Sequence, residues 1–176
     1  MMIRGMIKML NEAQIYAWIE AIGTTLSAIA STPSNILSNS MLNDLNLIGN
    51  VLQAVGNGYI PENEELLIQF GTGLQALGNI VVIQGLFVEN QETSELLNTQ
   101  GNLLQTLGGG ASIDFQENQT VNEALNNIGN IIQVIGNSIQ VLSVKYPQNS
   151  EKYQELNTVG SWIQAIGAVL SALTVD

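Results

Sequence analysis

The chain has 176 residues, of which 45% are hydrophobic and only 11% are charged, with 20 Asn and 15 Gln making up much of the polar remainder. Its net charge of −11, from 15 acidic and four basic side chains, argues against nucleic-acid binding, because affinity for phosphates comes from Lys and Arg. The same balance disfavours electrostatic docking onto anionic lipid. Since Cys and His are absent from the sequence, disulfides, thiol chemistry and the usual zinc sites are excluded.

The first thirty residues resemble a signal peptide only superficially. Arg4 and Lys8 precede an apolar stretch that ends in Ala28-Ile29-Ala30, which has the A-x-A pattern of a cleavage site. However, Glu12 and Glu20 interrupt the apolar region, and a similar segment recurs at the C-terminal end of the sequence. We therefore expect no cleaved signal and a cytoplasmic protein.

The strongest feature of the sequence is an eight-residue motif that occurs six times. Its consensus is Gly-[Asn/Ser/Thr]-x-[Leu/Ile]-Gln-x-[Ile/Leu/Val]-Gly, and its positions are numbered 1 to 8 below. The copies occupy residues 16–23, 49–56, 71–78, 101–108, 129–136 and 160–167. The first copy carries Tyr16 at position 1 and Glu20 at position 5. The copies begin 22 to 33 residues apart, which predicts one secondary-structure element per copy.

Each copy has the pattern of an amphipathic helix. At 100° per residue the apolar positions share one broad arc, the glycines lie on a shoulder of that arc, and the Gln lies beside the glycines. Each glycine inside a helix lowers stability by about 1 kcal/mol relative to alanine. Glycines in this number therefore require a compensating gain in stability. We predict close helix packing at Gly23, Gly49, Gly56, Gly71, Gly78, Gly85, Gly101, Gly108, Gly129, Gly136, Gly160 and Gly167. The alternative is that these glycines are inherited with the repeat and have no special role.

The Gln side chains at position 5 are candidates for hydrogen bonds between helices across the same seam. They are Gln53, Gln75, Gln105, Gln133 and Gln164.

Helix ends are marked by Pro, Gly and polar clusters, which place the helices near residues 9–31, 35–57, 62–88, 92–108, 120–144 and 150–174. Thr120 and Glu123 form a capping box, and Pro61 suits a first helical position. Acidic residues are expected to open helices three to six, where they favour the helix dipole. Glu62, Glu64 and Glu65 open helix three, Glu92 and Glu95 helix four, Glu123 helix five, and Glu151 and Glu155 helix six. The predicted fold is all-α: a single domain, residues 1–176, forming a six-helix antiparallel bundle of six divergent glycine-punctuated helical repeats.

The first and last helices resemble each other. Residues 18–30 match residues 162–174 at eight of thirteen positions. We therefore expect these two helices to share an environment, either side by side with Trp18 and Trp162 closing the bundle, or as caps. Core packing is the preferred role of both tryptophans over ligand binding.

Four segments of the helices carry no charge, namely 66–88, 96–113, 124–144 and 156–175. They reach the length of a membrane span, but Asn and Gln recur in them, which is costly in lipid unless the polar faces line a bundle interior or a wet lumen. Membrane insertion is therefore expected only conditionally, after a conformational change. A neutral Asn/Gln surface also suits packing against other copies of the chain.

No residue pattern indicates catalysis. Ser and Thr lack a base, and the pairs Glu62/Glu65 and Glu92/Glu95 are better explained as helix caps than as calcium ligands. The glycines at 108–110 lack the rest of a phosphate loop and are expected to end a helix. We predict no enzyme activity, no cofactor, no metal, no nucleic-acid partner and no small-molecule substrate.

The Gly-Asn-x-Leu-Gln-Ala-x-Gly repeats and the Ser-Trp-Ile-Gln-Ala-Ile-Gly ending resemble uncharacterised repetitive Gly/Asn/Gln-rich helical proteins of bacilli and related spore-forming Gram-positive bacteria. The resemblance covers most of the chain and implies a bacterial source, but no activity. The function expected from the sequence is that of a non-enzymatic structural or scaffold protein that self-associates into homo-oligomers. The alternatives are a soluble membrane-active protein of pore-forming type and a helical module that binds an apolar ligand or a partner helix.

Overall fold

The computed structural model describes residues 11–60 and 64–175. Within these ranges it has six helices: α1 Glu12–Ala30, α2 Asn39–Asn57, α3 Leu66–Leu86, α4 Gln91–Ala111, α5 Val121–Ser143 and α6 Glu151–Thr174. The predicted all-α fold with six helices is confirmed. The predicted starts of α1 at residue 9 and of α3 at residue 62, with Pro61 and Glu62, fall outside the described residues.

Side-chain caps set the start of most helices. The Glu123 backbone N–H donates to Thr120 Oγ1 at 3.2 Å, and the Thr120 backbone N–H donates to Glu123 Oε2 at 2.6 Å, which completes the predicted capping box. A second capping box, at Asn11 and Gln14, begins α1. At α3 the prediction was wrong: Glu64 and Glu65 precede the helix, and Glu65 occupies the N-cap without a side-chain cap bond. The Gln69 side chain instead donates to the Glu64 backbone oxygen at 2.8 Å.

The triple glycine does not end α4. The helix continues to Ala111, and the Ser112 backbone N–H then bonds to the carbonyls of residues 108–110. The helix continues because Gly108 is part of a close helix contact: a Cβ added there would lie 2.8 Å from the Gln75 backbone nitrogen. Gly109 is also packed, against Val134 of α5, whereas a Cβ added at Gly110 would meet nothing within 4 Å, so the close contacts extend through Gly109 only.

The helices form a closed ring. Within the described part of the chain, each helix packs against its two neighbours in sequence, and α6 returns to pack against α1. Close contacts bring Gly23 against Gly49 and Glu20 against Gly56, so residue numbers increase in opposite directions along α1 and α2. The pairs α3/α4 and α5/α6 have the same arrangement.

The ring is polar inside and apolar outside. Its fully buried hydrophobic residues are five alanines and Val82, whereas fifteen polar residues are buried. The large apolar side chain at motif position 7 is exposed in every copy, at 47% to 62% of its surface: Ile22, Val55, Leu77, Leu107, Ile135 and Ile166. This is the reverse of the usual arrangement in a water-soluble protein.

The two terminal helices lie side by side and close the ring. Ala21 of α1 is buried with Ala168 and Ala172 of α6, and Trp18 packs against this cluster. Trp162 is not in the core, because 40% of its surface is exposed and its indole Nε1–H donates to Thr32 Oγ1 at 3.0 Å. The expectation of core packing therefore holds in part for Trp18 and is wrong for Trp162.

Candidate functional site: the polar interior of the ring

The side chains at motif position 5 converge on the interior of the ring, one from each helix. The five glutamines are buried, with 7% or less of their surface exposed: Gln53, Gln75, Gln105, Gln133 and Gln164. Glu20 supplies the sixth side chain, from α1. The predicted place of the glutamines was in the seams between helices, and some do reach across a seam: Gln53 Nε2 donates to Ser27 Oγ at 2.9 Å, and Gln75 Nε2 to Ser112 Oγ at 3.4 Å.

The six side chains occupy two levels, because paired helices run in opposite directions. Gly23, which follows Glu20 by three residues, lies against the Gln53 backbone, so Gln53 is about 4.5 Å nearer the C-terminal end of α1 than Glu20 is. Gly136 faces Gln164 in the same way. We call the level of α1, α3 and α5 the lower layer (Glu20, Gln75, Gln133) and that of α2, α4 and α6 the upper layer (Gln53, Gln105, Gln164).

The upper layer is joined by hydrogen bonds that cross the interior. Gln164 Nε2 donates to Gln53 Oε1 at 3.1 Å and to Gln105 Oε1 at 3.0 Å. Gln140 Nε2 in turn donates to Gln164 Oε1 at 3.1 Å. Because α2, α4 and α6 are not neighbours in the ring, the two bonds from Gln164 Nε2 to Gln53 and Gln105 bridge its interior. We call them the amide bridge.

Glu20, in the lower layer, is the one charged residue type found in the central turns of any helix among the described residues. Every other described charge lies outside the helices or within the first six residues of one. Burial raises the pKa of the Glu20 carboxyl to about 7, and the side-chain amides of Asn57 and Gln133 oppose that rise. The groups that favour its charged form are therefore neutral amides, with no Lys or Arg among them.

A second set of polar side chains surrounds the upper layer. Thr24, Asn79 and Asn137 each follow position 8 of their copy directly and are at most 1% exposed. Asn79 Nδ2 donates to the Gln75 backbone oxygen at 3.1 Å, but Asn79 Oδ1 has no hydrogen-bond partner. An unpaired buried amide oxygen costs about 1–3 kcal/mol, so its presence needs a physical reason.

Two polar cavities lie on either side of these layers. The lower cavity, of about 460 Å³, is lined among others by Glu20, Gln75 and the exposed Glu64. The upper cavity, of about 480 Å³, reaches from the amide bridge to the exposed Asn43 at the start of α2. Since exposed residues line both, solvent reaches each from its own end of the ring. Together the cavities form a lumen that the amide bridge interrupts.

Glycine contacts hold the helix pairs together. Position 1 of one copy faces position 8 of its partner, so that a Cβ on either glycine would lie within 2.8 Å of the partner's carbonyl oxygen in the pairs Gly23–Gly49, Gly78–Gly101, Gly129–Gly167 and Gly136–Gly160, and in Gly71–Gly108. Gly56 lies against Glu20, as the position 8 glycines of the other copies lie against the facing Gln at position 5. Position 1 of the first copy is Tyr16, whose ring stacks on Tyr59 with centroids 4.6 Å apart. Gly85 is less crowded, with 3.2 Å to the Ser94 carbonyl oxygen.

Sequence reasoning singled out position 5 but missed the lumen. The missing information was the direction of the apolar face, which the helical period leaves open. A usable signal was present: positions 5 and 7 are separated by about 200° on a helix, so an inward Gln requires an outward Ile, Leu or Val.

In the part of the chain that the structure describes, two helices are long and apolar enough to cross a membrane by length and composition, Leu66–Leu86 and Glu151–Thr174. In the described ranges no group of three or more acidic residues, His or Cys is arranged to hold a metal ion. No curated protein and no solved structure shows significant similarity to this chain. A family model matches residues 11–172, and the chain therefore belongs to the family of unknown function DUF6944.

Proposed function

We propose that the protein is a membrane-embedded helical ring whose polar lumen passes small polar solutes. The observation that carries this proposal is the inverted polarity of all six repeats. Each turns its position 5 side chain into the lumen and exposes its position 7 side chain to the outside.

The apolar exterior supports a lipid environment. Twenty-nine large hydrophobic side chains are exposed in the described residues; 23 of them lie in helices, and every helix contributes at least two. Water-soluble monomers rarely expose an apolar surface that continues around the whole molecule. In hydrocarbon the same side chains carry no such cost, while the helical backbone satisfies its own hydrogen bonds.

The helix segments without charged side chains form a band around the ring, which we call the uncharged belt. Its length also supports a lipid environment. The helices have 19 to 24 residues, which corresponds to about 28–36 Å and matches a hydrocarbon core of about 30 Å. Charged side chains other than Glu20 lie near the helix ends, where headgroups and water would surround them. Most of the Asn and Gln in these helices line the interior, where polar groups are tolerated, although Gln100 in the middle of α4 is exposed.

Self-association is the second candidate, and the same exposed side chains favour it. Other copies of the chain could cover these apolar side chains with almost no charge to desolvate. Such an assembly would act as a scaffold. An apolar small-molecule ligand is less well supported, because Asn, Gln, Ser and Thr form much of the lining of both cavities.

Fractionation of cells that express the full chain separates these candidates. A membrane-embedded ring stays with the membranes after an alkaline carbonate wash and needs detergent for extraction. A soluble scaffold appears in the detergent-free supernatant as a large assembly. Recovery of a detergent-free monomer would contradict both.

Removal of the amide bridge tests whether solutes pass through the lumen. We expect Gln164→Ala to raise single-channel conductance in planar lipid bilayers severalfold, because it removes both bonds that cross the lumen. The matched control is Gln69→Ala in α3, whose side chain bonds to the Glu64 backbone before the helix and lines neither cavity. Equal conductance of both variants and the unaltered protein would argue against a path through the lumen.

A further inference from the structure

We infer that the lumen selects monovalent cations, and that Glu20 together with the surrounding amide oxygens is the selecting site. This inference rests on the proposed function and names the class of solute that would pass.

The charge of the lumen favours cations. Among residues 11–60 and 64–175 no Lys or Arg lines either cavity, whereas Glu20, Glu64, Asp114 and Glu123 all line the lower one. Carboxylates around a narrow entrance raise the local concentration of cations and repel anions. A cation that enters from the lower end therefore passes the other three acidic side chains before it reaches Glu20.

The centre of the lumen provides the ligands that a cation needs after it loses water. Burial raises the pKa of Glu20 to about 7, so above that pH it supplies one negative charge. Neutral oxygen atoms are available on the amides of both layers. Asn79 Oδ1 is fully buried at the level of the upper layer and has no hydrogen-bond partner. Asn79 lines neither cavity, so its unpaired oxygen can meet an ion only at the constriction between the cavities. This second observation is independent of the position of Glu20.

The count of charges favours a single positive charge on the ion. Divalent Ca²⁺ and Mg²⁺ are bound by several oxygens that usually include more than one carboxylate. The two layers contain one carboxylate, and in the described residues no three acidic groups cluster as a metal site. K⁺ and Na⁺ are accommodated by neutral oxygens with little fixed charge, as in filters built from carbonyl groups.

The test measures reversal potentials in planar bilayers under a KCl gradient. Gln164→Ala serves as the background, so that the amide bridge does not limit the current. At a pH well above 7, where the Glu20 carboxyl is ionised, we expect the reversal potential to lie close to the K⁺ equilibrium potential. Glu20→Gln restores the residue found in the other five copies, so it should fold normally, and we expect it to shift the reversal potential strongly towards zero. Asp44→Asn removes an exposed charge at the other end of the ring and should leave the value unchanged.

The outcomes separate this inference from the function on which it rests. Currents that remain equally cation-selective after Glu20→Gln, currents carried by anions, or currents carried by protons alone would overturn the inference and leave a conducting lumen. Absence of current in every variant, with the protein shown to be inserted, would overturn the conducting function and the inference together. Replacing K⁺ by Ca²⁺ should abolish most of the current, and a larger Ca²⁺ current would contradict the assignment to monovalent ions.

Discussion

Gly136→Ala is expected to lower the free energy of unfolding by about 3 kcal/mol, near the upper end of the range for adding a methyl group to a packed interior. The added Cβ would lie 2.5 Å from the Gln164 backbone nitrogen and 2.6 Å from the Gly160 carbonyl oxygen. Both obstructing atoms belong to the backbone, so no side-chain rotation relieves the contact and α5 and α6 must move apart. In the unaltered protein a Gly136 Cα hydrogen points towards that carbonyl, a weak favourable contact that the substitution also removes.

Gly73→Ala is the matched control, since it makes the same change inside a helix where there is room. The nearest atom to its added Cβ, Ile60 Cδ1, lies at 3.9 Å, an ordinary contact. Alanine should raise stability there by up to about 1 kcal/mol through helix propensity. Thermal and denaturant unfolding in detergent micelles, followed by circular dichroism, measures both variants. If Gly136→Ala is as mild as Gly73→Ala, the glycine contacts are not what holds the helix pair.

The sequence was sufficient to predict the helices because their signals are local. Caps such as Thr120, the spacing of the apolar residues and the breaks between copies all act within a few residues, and the predicted bounds of α5 differ from the observed ones by one residue at each end. The triple glycine misled because a tertiary contact, Gly108 against α3, overrides its low helix propensity.

The lumen could not be predicted because it depends on which way each helix faces. The same arc of Ile, Leu and Val is suited to a dry core or to lipid, and the 3.6-residue period does not distinguish them. The closure of the ring by α1 and α6 was signalled by the similarity of residues 18–30 to 162–174. The two-layer order of Glu20 and the glutamines follows only once paired helices are known to run in opposite directions.

Ile135→Lys is expected to block membrane integration, which makes the outer face the most sensitive test of the proposed function. Ile135 is 48% exposed at position 7 of α5, in the middle of the uncharged belt. A lysine at the centre of a spanning helix costs about 2.5–3.5 kcal/mol on insertion scales, which corresponds to roughly 60- to 350-fold in the partition between membrane and water. The measurement is the fraction of protein that resists carbonate extraction.

Ile36→Lys provides the control, because Ile36 is 93% exposed but lies in the connection between α1 and α2, where headgroups or water would accept a charge. We expect it to leave the integrated fraction unchanged. In a soluble monomer both substitutions would be harmless, since exposed surface tolerates charge. In a soluble assembly Ile135→Lys would reduce the size of the particles in detergent-free buffer and change nothing at the membrane. Loss of membrane integration by Ile135→Lys would therefore show that lipid covers the exposed apolar side chains. Smaller particles in detergent-free buffer, with no change at the membrane, would show that a second copy of the chain covers them.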